Sequence, residues 1–256
     1  MNMAQMQSAC VNTADMPGIS AATRAKLARV GSANVANALL KRGFRKVYML
    51  GIAPLSPDQE QLVGPAYTLR FIPAREDIDT MANYDRTDNL HRRAIEECPP
   101  GHVLVIDTNG NAEASSAGDL MAARMRKRGV AGVVTDGGYR DTPAIRKTGL
   151  PAYQYRAAPP ATPIAMHPVE LNQPIGCAGV AVYPGDILVG DGDGVVVIPR
   201  HLANEVADDA VAAVEYEAFA EREIARGRTI FEVFPATKSS RTEYEQWVAA
   251  GRPALV

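Results

Sequence analysis

The sequence predicts a single α/β domain with a mixed sheet and peripheral helices, and three observations carry that prediction. Amphipathic, helix-like stretches alternate with short β-branched runs along most of the chain. Several of the helical stretches open on Ser and close on Gly, the residues that start and stop helices. No composition break or linker divides the 256 residues, a length that supports one large core without a disulfide or metal staple.

Residues 1–18 are polar and irregular and are expected to form a flexible arm; the domain is expected over 19–235 and a C-terminal tail over 236–256. Ser20 and Gly31 bracket "SAATRAKLARVG", and Ser32 and Gly43 bracket "SANVANALLKRG" in the same way, which predicts two helices in tandem. "KVYMLGI" (46–52) and "GPAYTLRFI" (64–72) read as strands. The stretch from Asp77 to Glu97 is helical in part and stops before Pro99-Pro100. "HVLVID" (102–107) is a strand followed by a turn at Asn109-Gly110. A helix then runs from Leu120 to Arg128, with Leu120, Met121 and Met125 on its apolar side and Gly129 as its stop. The buried strand "VAGVVTD" (130–136), the short helix "TPAIRKTG" (142–149) and the strand "PAYQY" (151–155) follow. Short strands joined by Gly-Asp turns fill 177–199, and a long helix rich in Ala and Glu runs from His201 to Arg226.

The balance of 46% hydrophobic and 22% charged residues is that of a globular protein. A net charge of −2 gives no nucleic-acid footprint, and the basic run Arg124 to Arg128 reads as a solvated helix face. Three scattered cysteines without a CxxC argue against a zinc site or a disulfide framework and fit a reducing, cytoplasmic setting. No basic n-region precedes an apolar stretch, and no run reaches the ~18 apolar residues of a membrane span, so neither a signal peptide nor a membrane partner is expected.

Most candidate chemistry falls to a simpler reading. His91, His102, His167 and His201 are isolated and are read as packing or surface residues. The lysines sit among charged neighbours on helix patterns, which disfavours an imine-forming lysine. "GDGDG" (190–194) lacks the ligand spacing of a calcium loop and reads as a hairpin turn. No glycine-rich phosphate cradle is present.

One stretch survives, "GDLMAARMRKRGVAGVVTDGGYRD" (118–141). Gly118 and Asp119 precede a helix, so the amides of Leu120 and Met121 belong to a helix start, which favours a carboxylate. The competing possibility is that Asp119 merely caps its own helix. "DGGYRD" follows a buried strand, Gly137 and Gly138 permit close approach to the backbone, Arg140 can grip a carboxylate bidentately, and Asp141 offers hard oxygen ligands. Within one αβ unit, the helix start and the far end of the next strand lie on the same side.

Asp119 followed after twenty residues by Arg140-Asp141, with "PGDILVGDGDGVVVIP" downstream, resembles the class II 4-hydroxy-4-methyl-2-oxoglutarate/4-carboxy-4-hydroxy-2-oxoadipate aldolase family, which also contains the regulator of ribonuclease activity A. The similarity runs from about Ser32 through "VVVIP" (195–199) into the final helix. It implies a β/β/α sandwich of the swivelling phosphohistidine-domain type with N-terminal helices and a long C-terminal helix, assembled as trimers or hexamers with sites between subunits. By the resemblance, Asp141 would ligate Mg²⁺ or Mn²⁺ largely through waters, and Asp119 would position a metal-bound water. Arg140 would hold the pyruvyl group, and the start of the helix at Gly118, Leu120 and Met121 would bind its carboxylate. A glutamate from a neighbouring subunit would complete the site; Glu217 is the first candidate, with Glu215 and Glu221 as rivals. The chain departs from the family pattern at Asn37, where an Asp is common, in the inserted "FIPAREDID" (71–79), and in its longer C-terminal end.

The expected function is a metal-dependent aldolase acting on a 4-hydroxy-2-oxo acid, with oxaloacetate decarboxylation through the same enolate. The alternative is a non-enzymatic protein that, like the ribonuclease regulator, binds and inhibits a ribonuclease.

Overall fold

The structure, a computed structural model, describes residues 19–252, so the arm expected over 1–18 lies outside it. Helices α1 (Ala21–Leu27) and α2 (Ser32–Lys41) lead into strands β1 (Ala53–Pro54) and β2 (Leu62–Pro73). Then come α3 (Met81–Tyr84), α4 (Leu90–Glu97), β3 (Val103–Asp107), β4 (Ser115–Ala117), α5 (Asp119–Lys127), β5 (Gly132–Thr135), β6 (Gly138–Tyr139) and α6 (Thr142–Thr148). Strands β7 (Ala152–Gln154), β8 (Arg156–Ala157), β9 (Met166–Leu171), β10 (Ile175–Cys177), β11 (Val180–Val182), β12 (Ile187–Asp191) and β13 (Gly194–Ile198) precede α7 (Ala203–Ala225), α8 (Ile230–Val233) and α9 (Lys238–Ala249).

Among the described residues, one mixed eight-stranded sheet runs β1-β7-β5-β3-β2-β12-β13, with β9 added to the far half of β2. Its centre, β7-β5-β3-β2, is parallel, while β12, β13 and β9 join antiparallel. The ends of the path approach one another: the Met49 amide donates to the Val195 carbonyl at 3.0 Å, and Tyr48 bridges Val196. The sheet is therefore nearly closed.

Strand periodicity explains where the core sits. Leu104 and Ile106 of β3 face α4, α5 and α6, whereas Val103 and Val105 face the interior of the curled sheet with Val195 and Val197 of β13. Val196 and Ile198 point the other way, onto α1, α2 and α7. Strands covered on both faces read as unbroken apolar runs, as "VLVI" and "VVVI" do.

Four local expectations need correction. The 46–52 stretch pairs only through an isolated bridge at Tyr48 and is not a strand. Gly31, not Ser32, caps α2; the Ser32 hydroxyl instead donates to Asp191 at 2.8 Å, while Ser20 does cap α1. Leu120 is 80% exposed, and the buried face of α5 is Ala122 and Met125. The 236–249 stretch, expected as tail, is mostly α9, started by a Thr237–Ser240 capping box and packed through Tyr244 and Trp247 against Phe219 of α7.

Candidate active site

The two charged pairs of 118–141 meet at one place because β4 and β6 run parallel side by side. Ser115 pairs with Gly138 and Ala117 with Tyr139, and the Arg140 amide donates to the Ala117 carbonyl at 3.1 Å. The chain thus leaves both strands in the same direction, into α5 on one side and into Arg140-Asp141 on the other. Gly118 joins them. A Cβ there would stand 3.1 Å from Arg140 Nε and 3.2 Å from Asp141 Oδ2, tighter than ordinary contact. Its φ of −131° is open to any residue, so close approach explains the glycine and backbone conformation does not.

Asp119 does not cap its helix. Gly118 holds the cap position with no side-chain bond, and the first intrahelical amide is that of Ala122, donating to Gly118 O at 3.0 Å. The amides of Leu120 and Met121 therefore remain as unused donors at the positive end of the helix, with the Asp119 carboxylate in its first turn. Asp141 is likewise not spent on capping. It precedes α6 in the left-handed region, at φ 56° and ψ 33°, and accepts no side-chain cap bond. A non-glycine residue held there stores backbone strain, which clusters at functional sites. Its carboxylate is about half exposed and lies 3.2 Å from Arg140 Nε.

A cleft of about 440 Å³ opens over this junction. One wall is the start of α5, from Gly118 to Met121, with Arg140; the other is Met81 and Tyr84 of α3 and its cap Asp85, together with Arg92 of α4, while Asp141 sits against Gly118 and does not line the cleft. Thr162 and Pro163 close the end, the Thr162 hydroxyl donating to Ser115 O at 2.6 Å. Burial raises the Tyr84 phenol pKa, while Arg140 and then Arg92 pull it back down. Tyr84, Arg92 and Thr162 were not legible from the sequence, since each reaches the cleft from a separate segment and no local motif marks any of them.

Gly137 and Gly138 serve the fold and not a ligand. A Cβ on Gly137 would meet Asn111 O and Thr108 Oγ1 at 2.6 Å, and one on Gly138 would collide with the Arg156 carbonyl. Asp136 is also architectural: buried, it accepts from Thr108 N at 2.7 Å, Thr108 Oγ1 at 2.9 Å and Gly110 N at 3.1 Å. His91 is a core residue as expected. Its Nε2 donates to Ser116 O at 2.8 Å, its ring meets Phe71 edge-on, and burial pushes its pKa down to about 4. "GDGDG" is the hairpin between β12 and β13.

Glu217 does not line this cleft within its own chain. It accepts from Asn34 Nδ2 at 3.1 Å and lines a separate groove between α2 and α7, which Asn37 also lines; Glu215 pairs with Arg252 at 3.3 Å. Among the described residues no three His, Cys, Asp or Glu side chains converge as a metal cage. What the site offers is two hard carboxylates, Asp119 on the cleft and Asp141 packed against Gly118. That donor set suits Mg²⁺ or Mn²⁺, which retain several waters.

A nearly closed mixed sheet carrying a helix-start cleft beside an arginine defines an α/β protein equipped for a small anion. The chain belongs to the RraA-like family, Aldolase/RraA, whose sequence model matches residues 32–197, more than half of it. A Halalkalibacterium halodurans protein provisionally named 4-hydroxy-4-methyl-2-oxoglutarate aldolase is 36% identical over 163 residues, covering 62% of this chain and 69% of its own. Protein DlpA of Legionella pneumophila is 29% identical over 80% of this chain, which spans only 32% of that protein's length. The crystal structure of Streptomyces coelicolor RraAS2, described as an unusual member of the RNase ES inhibitor RraA protein family, is 32% identical with a TM-score of 0.70, covering 80% of this chain and 98% of that one. No helix among the described residues is long and apolar enough to cross a membrane.

Proposed function

We propose that the protein is a divalent-metal-dependent lyase that releases pyruvate from a 4-hydroxy-2-oxo acid, with oxaloacetate decarboxylation as a side activity. The observation that carries this reading is the junction at Gly118, where open helix amides, Arg140 and Asp141 crowd one point. The amides of Leu120 and Met121 bind the carboxylate of the 2-oxo acid, and the Arg140 fork faces its 2-oxo oxygen. As the C3–C4 bond breaks, its electron pair moves into the pyruvate enolate, and Arg140 stabilises the charge where it develops. Asp119 holds the water that takes the C4 hydroxyl proton. Mg²⁺ or Mn²⁺ at Asp141 would supply Lewis-acid polarisation of the 2-oxo group. Decarboxylation of oxaloacetate releases CO₂ through the same enolate, so it draws on Arg140 and the helix amides but needs no base at C4.

The reading includes assembly into trimers or hexamers, with Glu217 from a neighbouring subunit completing the site, and a sandwich of the swivelling phosphohistidine-domain type. Likeness to RraAS2 favours a second reading, a non-enzymatic ribonuclease inhibitor, which has no need of Arg140 and Asp141 held at one glycine. Pyruvate release from a panel of 4-hydroxy-2-oxo acids separates the two. Activity lost in EDTA and restored by Mg²⁺ or Mn²⁺ supports the lyase; no release from any member, or full activity after exhaustive chelation, overturns it.

A further inference from the structure

The cleft holds two arginines in different circumstances. Arg140 is engaged by Asp141 at 3.2 Å. Arg92, on the opposite wall, donates to the backbone carbonyl of Asp85, and among the described residues no carboxylate lies within ion-pair distance of it. Its neighbours differ. Arg75 pairs with Asp77 at 2.6 Å, Arg86 with Asp88 at 2.5 Å and Arg93 with Glu97 at 2.6 Å. Of the four arginines between 75 and 93, the one facing the cleft is the one whose charge is left uncompensated.

We propose that Arg92 is the specificity-determining residue for the far end of the substrate, selecting a 2-oxo acid that carries a second carboxylate beyond the bond that breaks; this rests on the lyase reading above. One guanidinium nitrogen is tethered to Asp85 O, which closes α3 and holds the fork in place. The remaining N–H groups are free for a carboxylate, a geometry that a guanidinium matches and an ammonium does not. Asp85 also lines this wall, but it meets Arg92 through its carbonyl, so its own carboxylate does not occupy the fork. Tyr84 lines the same cleft as both arginines and stands within electrostatic reach of each. The anchor stands on α4, across the cleft from the start of α5, where substrate choice can change without disturbing the junction at Gly118.

A matched pair of substrates tests this. With Mg²⁺, 4-hydroxy-2-oxoglutarate cleaves to pyruvate and glyoxylate; 4-hydroxy-2-oxopentanoate, with a methyl in place of the carboxylate, cleaves to pyruvate and acetaldehyde. A charge-assisted hydrogen bond contributes about 10- to 100-fold, so the wild-type protein should favour the first in kcat/KM by at least about tenfold. Arg92→Ala should collapse that ratio through KM more than kcat, and Arg92→Lys should keep part of it. A ratio that survives Arg92→Ala, or a wild-type preference for the methyl substrate, overturns the inference. Pyruvate from neither substrate counts against the lyase reading instead. Calorimetric titration then decides the role of Arg92 alone: weaker 2-oxoglutarate binding by Arg92→Ala, with oxalate binding retained, upholds it, and equal loss or no loss of both overturns it.

Discussion

Asp136 and Asp141 open and close the same short loop, "DGGYRD", and the fold treats them in opposite ways. Asp136 is buried, with amides of Thr108, Gly110 and Ala178 and the Thr108 hydroxyl donating to it; Asp141 is half exposed, in a strained backbone conformation, and among the described residues only Arg140 engages its carboxylate. A carboxylate saturated by its own chain is architecture. One held in place yet left with open oxygens is available for chemistry. The same distinction separates Asp191, which accepts from Ser32 N at 2.6 Å and Ser32 Oγ at 2.8 Å, from Asp119, which caps nothing.

The largest effect should come from the saturated end. Asp136→Ala strands the Thr108 amide and hydroxyl and the Gly110 amide, at ~1–3 kcal/mol each when unsatisfied, and also removes the longer bond from Ala178 N at 3.4 Å. A loss of at least about 3 kcal/mol is expected, a fall in Tm of roughly 6–12 °C at 2–4 °C per kcal/mol. A Tm within 2 °C or so of wild type would break the comparison, since Asp136 would then be no more structural than its neighbour. Arg140→Ala should do the reverse, keeping Tm while kcat for both cleavage and decarboxylation falls ~10²–10³-fold, the usual cost of removing a donor from developing charge. Near-normal turnover would reduce the junction to a surface ion pair.

His91 sharpens the contrast through pH. Burial holds its folded pKa at about 4, below the unfolded value of 6.5, so the unfolded chain takes up the proton first as pH falls. The stability that neutral His91 permits is complete above about pH 6.5 and drains away toward pH 4, by on the order of 2–3 kcal/mol. Urea titrations of wild type and His91→Phe between pH 7 and 4.5 should show the variant with the flatter dependence; parallel curves would remove His91 from the account. The smallest effect belongs to Ser32→Ala, which removes one bond to Asp191 and should cost about 1–2 kcal/mol with kcat unchanged. A loss of activity there would mean that the hairpin region communicates with the cleft.

The parts of this fold legible in the sequence were those with local causes. Ser20, Gly129 and Gly149 mark helix ends through their own backbone preferences, and the apolar runs of β3, β5 and β13 announce strands buried on both sides. The 46–52 stretch misled because alternating apolar residues look like a strand whether or not a partner lies alongside for its full length. The α9 signals, a Thr237–Ser240 box and aromatics at 244 and 247, were present but acquire meaning only against Tyr216 and Phe219. Of the candidate site, the nearness of Asp119, Arg140 and Asp141 was legible because one αβ unit supplies them all, with Asp119 and Arg140 on the cleft and Asp141 beside Gly118. Tyr84, Arg92 and Thr162 were not, because only tertiary structure brings them there.

The grip at the start of α5 is made of main chain, and this bears on how such a site can drift. Exchanging Leu120 or Met121 for any residue except proline leaves the peptide N–H in place. Leu120, at 80% exposure, has almost no packing to defend. Random mutation can therefore repaint the rim of the cleft, altering what the surface attracts, while the open amides beneath it persist. The opposite wall has no such insurance, since its Tyr84 and Arg92 are side chains that a single codon change can erase. On this scaffold the side-chain wall can change long before the main-chain donors facing it do.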